Sequence, residues 1–227
     1  MPEQVHLMFS SPPEGLEAGA FERWLETLSS HVMAVEGYGA ARHFRTAAAV
    51  GSASPTMYAH LVVYTVDGDP EAARARLRQA VASEPTAFAG GDGIRFASFT
   101  GVALEGPIDL AALDHMYLVF SKPPARIGLE DYIAWYARHM RENLTADGFE
   151  AAWRYRLQAD VVDSLAPADA VHAALYEVHG DLPQLRVALQ EAADAGRVGF
   201  PDWFGEIQFA SMDCLACSGV LTAGRAR

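Results

Sequence analysis

The chain repeats itself at the scale of a domain. Residues 5–45 and 116–156 align at a constant offset of 111, pairing Phe9 with Phe120, Ser10 with Ser121, Phe21 with Tyr132, Trp24 with Trp135, Gly37 with Gly148 and Arg45 with Arg156. The offset becomes 112 at His60/His172 and Tyr64/Tyr176, and 113 at Ile94/Ile207 and Ser98/Ser211. Single-residue gaps of this kind belong in exposed connections, which tolerate length changes that packed elements do not. The period is far longer than the ~20–50 residues of solenoid repeats, so each copy is expected to be a domain-sized unit. The expected units are residues 1–107 and 108–227. Positions kept in both copies are expected to carry the fold, and positions that differ are candidates for function.

With 51% of 227 residues hydrophobic, the chain can fill two small cores or one core shared between the copies. The formal net charge is −12, and Lys122 is the single lysine among 17 basic residues. No basic stripe is present, so a phosphate backbone would be repelled and nucleic acid is not an expected partner. No stretch approaches the ~20 apolar residues that span a bilayer, and no leader of charged then apolar residues opens the chain. A cytoplasmic protein without a membrane partner is expected.

The second copy reads as β-α-β-β-α-β. His115–Phe120 is an apolar, β-rich run closed by Pro123 and Pro124, which cannot donate ladder hydrogen bonds. Between Leu129 and Leu144, the residues Tyr132, Trp135, Tyr136 and Met140 recur at helical spacing, with Gly148 as a left-handed stop. Phe149–Leu157 is expected as a strand with Phe149, Ala151, Trp153 and Tyr155 on one face and Arg154 and Arg156 on the other. Val171–Val178 and Ile207–Met212 read as the remaining strands, separated by a helix that Asp181 caps and Pro183 opens. Asp69-Pro70 opens the corresponding helix of the first copy. A split βαβ unit of this order makes a four-stranded antiparallel sheet with both helices on one face. The other face needs a cover, and the other copy's sheet can supply it. Gly101–Leu113 and Asp213–Leu221 are expected to cross or wrap, the first serving also as a linker.

Two ferredoxin-like units packed sheet to sheet resemble the dimeric α+β barrel superfamily, in which two chains normally build the barrel. This chain looks like a tandem-fused, pseudo-twofold version. Its second copy is similar to the EthD-like members, whose first helix carries an aromatic-x-x-Trp/Tyr-x-x-x-His pattern, matched here by Tyr132, Trp135 and His139. In the first copy Leu28 stands where His139 stands, so the resemblance implies one site, in the second half. It implies an α+β fold and an enzyme of lyase, isomerase, cyclase or oxygenase type, acting without a cofactor on a hydrophobic aromatic or ketone-bearing small molecule. A non-catalytic binding protein is the alternative. A haem-binding enzyme is a third reading, without a haem-specific motif in the chain. The partners expected are a hydrophobic small molecule and, at most, a second copy of the chain, as a monomeric pseudo-dimer or a homodimer.

His139 shares a helix face with Tyr132 and Trp135, and an imidazole half-buried among aromatic rings suits acid/base chemistry. The alternative for His139 is a packing histidine bonded to a neighbouring strand. His172 and Tyr176 face one side of their strand, as His60 and Tyr64 do in the first copy, either at the sheet–sheet seam or in the cavity. With Tyr155 they complete the catalytic candidates. Tyr117, Tyr132 and Trp135 are expected to touch the ligand. So is Arg156, as a planar fork for an acidic group unless it answers a structural carboxylate. Trp203 and Phe204, in the aromatic loop Phe200–Phe204, either plug the core or form a lid. Cys214 and Cys217 form a C-x-x-C without the second pair that structural zinc commonly uses, so no metal site is expected. Lys122 sits in a proline-rich turn and reads as solvated. Gly90–Gly93 lacks the lysine of a phosphate-binding loop.

Overall fold

A computed structural model describes residues 4–48, 58–84, 94–105, 107–161, 172–217 and 219–222, and the segment Gly90–Gly93 lies outside them. The first half contributes β1 (Gln4–Ser11), α1 (Ala18–Met33), β2 (Tyr38–Ala48), β3 (His60–Val66), α2 (Pro70–Ser83) and β4 (Arg95–Glu105). The second contributes β5 (His115–Lys122), α3 (Leu129–Asn143), β6 (Phe149–Val161), β7 (His172–Val178), α4 (Leu182–Asp194) and β8 (Gln208–Ala216), with a short β9 (Leu221–Thr222). The local signals act as their chemistry dictates. Asp69 accepts from the Glu71 N–H, and Asp181 forms a reciprocal capping box with Gln184.

The strands run β3-β1-β4-β6-β7-β5-β8-β2, and β2 pairs back onto β3, so eight antiparallel strands close on themselves. Within each half the order is β2-β3-β1-β4 or β6-β7-β5-β8. The halves join edge to edge at two seams. At one, Gly101 pairs Leu157 and Val102 pairs Arg156; at the other, Thr46 pairs Cys214 and Phe44 pairs Ala216. The stretches that begin at Gly101 and Asp213, expected to wrap, instead continue as strand to Glu105 and Ala216 and help make these seams. The linker proper plugs one end of the barrel. Ile108, Leu110 and Leu113 are buried with the interior core, the Trp153 indole donates to Pro107 O at 2.6 Å, and Arg42 donates to Leu110 O at 2.6 Å and Ala111 O at 2.8 Å.

Three cores result. One fills the barrel with residues of both halves, including Phe9, Phe99 and Phe120, whose ring centroids lie 5.7–6.1 Å apart. The other two lie outside the barrel, beneath α1 and beneath α3. An eight-stranded barrel is just wide enough for side chains to fill it.

Two sequence expectations need correction. Phe149 does not share a face with Trp153 and Tyr155. A register shift between Phe149 and Ala151 reverses the alternation, so Phe149 packs beneath α3 while Trp153 and Tyr155 point into the barrel. The first half bulges likewise between Tyr38 and Ala41. Gly148 does not end α3, which stops at Asn143; its φ of +86° opens β6, where a Cβ would meet His179 O at 2.6 Å.

Gly101 lies at the β4–β6 seam, and a Cβ there would stand 2.8 Å from Tyr155 Cβ and 3.1 Å from Val5 Cγ2. Gly101→Ala is therefore expected to destabilise the fold by ~1–3 kcal/mol, the usual cost of overpacking. Gly205→Ala, which meets nothing within 4 Å, should change stability by less than about 0.5 kcal/mol. Urea denaturation midpoints measure both.

Candidate active site beneath the third helix

The stripe of α3 that faces the sheet consists of Tyr132, Trp135, Tyr136, His139, Met140 and Asn143. Spacings of three and four residues put these side chains on one side of the helix. They meet the outer faces of β5, β7 and β8 and the aromatic loop before β8. A cleft of about 290 Å³ remains between them. Tyr117, Tyr136, His139, Asn143, Tyr176 and Ser211 supply its polar groups, and Val119, Phe149, Leu189, Val198, Phe200, Phe204 and Phe209 its apolar wall.

His139 is enclosed by rings. Trp135 stacks on it at 4.8 Å and 20°, and Phe200, Phe204 and Tyr136 stand at 5.7, 5.8 and 6.1 Å. Its Nδ1 is buried and has no hydrogen-bond partner among the described residues. Removal from water penalises the imidazolium, and the pKa is pushed down to about 4, the Glu142 carboxylate opposing the shift only in part. The imidazole is therefore neutral at pH 7. The Tyr176 phenol accepts from the Asn143 amide at 3.1 Å, and burial raises its pKa far above the ordinary value. It stays protonated and keeps a hydrogen to donate.

The aromatic loop is tied to α3. The Gly199 N–H donates to the Glu142 carboxylate at 2.9 Å, and Arg126 from the β5–α3 connection donates through Nε to Glu206 at 3.0 Å. These contacts hold Phe200 and Phe204 over His139.

Of the residues expected at a site, His139, Tyr117, Tyr176 and Phe204 line the cleft. Trp135 stacks directly behind His139, and Trp203 packs edge-on against Trp135 at 4.9 Å. Tyr132 lies deeper. Its hydroxyl donates to Ser121 Oγ at 2.6 Å, and its pKa is pushed up to about 12 by burial. His172 is beneath Tyr132, with ring centroids at 5.2 Å, and is fully buried, with neither ring nitrogen hydrogen-bonded among the described residues. It lies under the helix, not at a sheet–sheet seam. Tyr155 is excluded from the cleft because its face of β6 turns into the barrel. Arg156 is excluded because it is exposed. Its neighbour on the same face, Arg154, is the buried arginine; it donates to Ile133 O at 2.7 Å and lies 5.7 Å from the Tyr136 ring. In the first half Leu28 is buried in a cluster with Phe21, Leu25 and Val32. Asn143 and Ser211 were not among the residues expected at a site. The helical stripe pointed to Asn143, one turn beyond His139, whereas Ser211 stood out only as the partner of Ser98 in the repeat.

No protein-family model matches the chain, and no curated protein matches it in sequence. Solved structures match it in fold. An anthrone oxidase-like protein superposes with a TM-score of 0.58 at 14% identity, over 100% of this chain and 95% of its own. A heme-binding protein from Thermus thermophilus gives 0.49 at 13% identity, over 96% and 92% of the two chains. Chlorite dismutase from Candidatus Nitrospira defluvii gives 0.47 at 12%, over 92% and 90%. The first of these shows the fold, an α+β barrel, and identities this low say nothing of chemistry.

Burial lowers His139 and His172 to about 4 from the ordinary 6.5. The unfolded chain thus binds more protons between pH 6.5 and 4, so the stability these neutral rings contribute is complete above 6.5 and lost as pH falls toward 4. Each contributes at most on the order of 3 kcal/mol. Melting curves against pH should therefore fall more steeply below pH 6.5 for the native chain than for His139→Leu. Parallel curves would show that His139 is not held neutral.

Proposed function

We propose that the chain binds a hydrophobic aromatic or ketone-bearing small molecule in the cleft beneath α3 and removes a proton from it, with His139 as the base and no cofactor. The observation that carries this reading is a neutral imidazole on the wall of an aromatic cleft. A volume of about 290 Å³ is at the lower end of the ~300–1,000 Å³ usual for ligand sites, so the occupant is small, with few rings. Aromatic walls give a planar ligand broad apolar contact.

A ring nitrogen with a pKa of about 4 is a weak base toward water. Toward a substrate in the cleft it is stronger, because the enolate or phenolate left behind stabilises the imidazolium beside it. The Tyr176 and Tyr117 phenols are the donors available to the developing oxyanion. The same low pKa also favours a second reading, binding without turnover.

We further infer that the chain is an EthD-like, tandem-fused pseudo-dimer of ferredoxin-like units, residues 1–107 and 108–227. The supporting features are the matching strand orders of the halves and the paired bulges after Gly37 and Gly148. No helix among the described residues is long and apolar enough to cross a membrane, in keeping with a cytoplasmic protein. The four rings within 4.8–6.1 Å of His139 argue against that imidazole as the axial ligand of a haem.

Anthrone, with an acidic ring CH₂ beside a carbonyl, tests both readings. The native chain should quench its Trp135 and Trp203 fluorescence on binding anthrone and speed deuterium wash-in at that carbon. His139→Leu should stay folded and lose roughly 10²-fold or more of the exchange rate. Binding with no accelerated exchange would select the binding reading. Equal losses in His139→Leu and Leu28→Ala would reduce His139 to a packing residue.

A further inference from the structure

A second group of chemically capable side chains lies on the other half of the molecule. His43, His60 and Cys217 place their donor atoms within 4.8 Å of one another. His43 Nε2 faces His60 Nδ1 at 2.8 Å, with the ring centroids 5.0 Å apart. The imidazoles come from the adjacent strands β2 and β3, where His43 pairs Val62 and Arg45 pairs His60. Cys217 follows β8, and its N–H donates to His43 O at 2.9 Å, which fixes the cysteine backbone against β2. The β2–β8 seam is thus what carries a residue from the end of the chain to two from its beginning.

The two imidazoles are 7% and 5% exposed, whereas Cys217 is exposed. A small ion can therefore reach the cluster from solvent on the cysteine side. Phe21 backs the His60 ring at 5.0 Å, and the Glu22–Arg45 ion pair, at 2.8 Å, stands beside the cluster. Two neutral imidazoles whose nitrogens face each other share one proton between two lone pairs. A metal ion can take both lone pairs once that proton moves to the other nitrogen of its own ring. Ligand nitrogens about 2.0–2.1 Å from an ion stand roughly 3.3–3.4 Å apart on tetrahedral corners, so the pair, at 2.8 Å, needs to open by about half an ångström.

We propose that His43, His60 and Cys217 form a binding site for a borderline-soft transition-metal ion of the zinc class. Two imidazoles and a thiolate suit such ions and not magnesium or calcium. Cys217 releases its thiol proton to solvent on binding, and the imidazoles change only tautomer. A water or the Glu22 carboxylate completes four-coordination. The ion ties β2, β3 and the end of β8 together across a seam of the barrel. The corresponding place at the β4–β6 seam has no counterpart, since the aligned residues are Arg154, His172 and Leu104. The site is independent of the proposed chemistry at His139.

The test is a titration of the chelator-treated full chain with Co²⁺ and then Zn²⁺. One equivalent of Co²⁺ should give a thiolate-to-cobalt charge-transfer band in the near ultraviolet, and Zn²⁺ should displace it. Cys217→Ser, at an exposed position, should fold normally, lose the band and bind Zn²⁺ at least about tenfold more weakly, as should His60→Ala. His139→Leu should bind as the native chain does. Absence of the band in the native chain, or equal Zn²⁺ affinity in Cys217→Ser, would overturn the site.

Discussion

Closure of the sheet through β4–β6 and β8–β2 decides where everything else can be. Gly101 facing Leu157, and Thr46 facing Cys214, turn the sheets of the two halves into one cylinder with no free edge between them. The interior then receives large side chains from both halves, Phe9, Phe99, Phe120 and Trp153 among them, and the 107–114 linker plugs an end. Among the described residues the interior is packed with side chains of both halves, and the cleft beneath α3 lies on an outer face, where helices cover the strands.

Those outer faces share a backbone plan and differ in a few side chains. Tyr64 and Tyr176 occupy equivalent strand positions, yet Tyr64 bonds Ser29 at 3.1 Å and Tyr176 bonds Asn143 at 3.1 Å. Leu28 fills its space, whereas His139 borders a cleft. His60 meets His43, whereas His172 lies near Arg154, whose charge helps hold the ring neutral after burial has done most of the work. A leucine makes no polar demand on its surroundings, but a buried imidazole does. A few replacements per face, His139 for Leu28 and Asn143 for Val32 at the cleft, are enough to give the two outer faces different polar groups.

The order of elements was legible because period-two and helical patterns are local, and because Asp181, Pro183 and the paired prolines act on their own neighbours. The stripe Tyr132, Trp135 and His139 was legible for the same reason. Features that depend on distant pairing were not. The strands β4 and β8 run on into mildly apolar stretches whose pairing partners lie in the other half of the chain, so they read as wrapping segments. The bulge after Phe149 is set by pairing to β7, and without it Tyr155 reads as a site residue when it is an interior one. Arg156 and Arg154 alternate identically in sequence, and only the position of α3 decides which is buried. Cys217 reads as incidental until the β2–β8 seam brings it to His43.

All of this rests on closure between the two halves of the chain, and the direct test is to separate them. Residues 108–227 expressed alone would present the free edges of β6 and β8 and an uncovered apolar sheet face. The expected result, by light scattering and size-exclusion chromatography, is a homodimer that rebuilds the barrel from two second halves, or self-association beyond it. A folded, cooperative monomer of residues 108–227 would contradict the account, because it would show that the half needs no second sheet to bury its core.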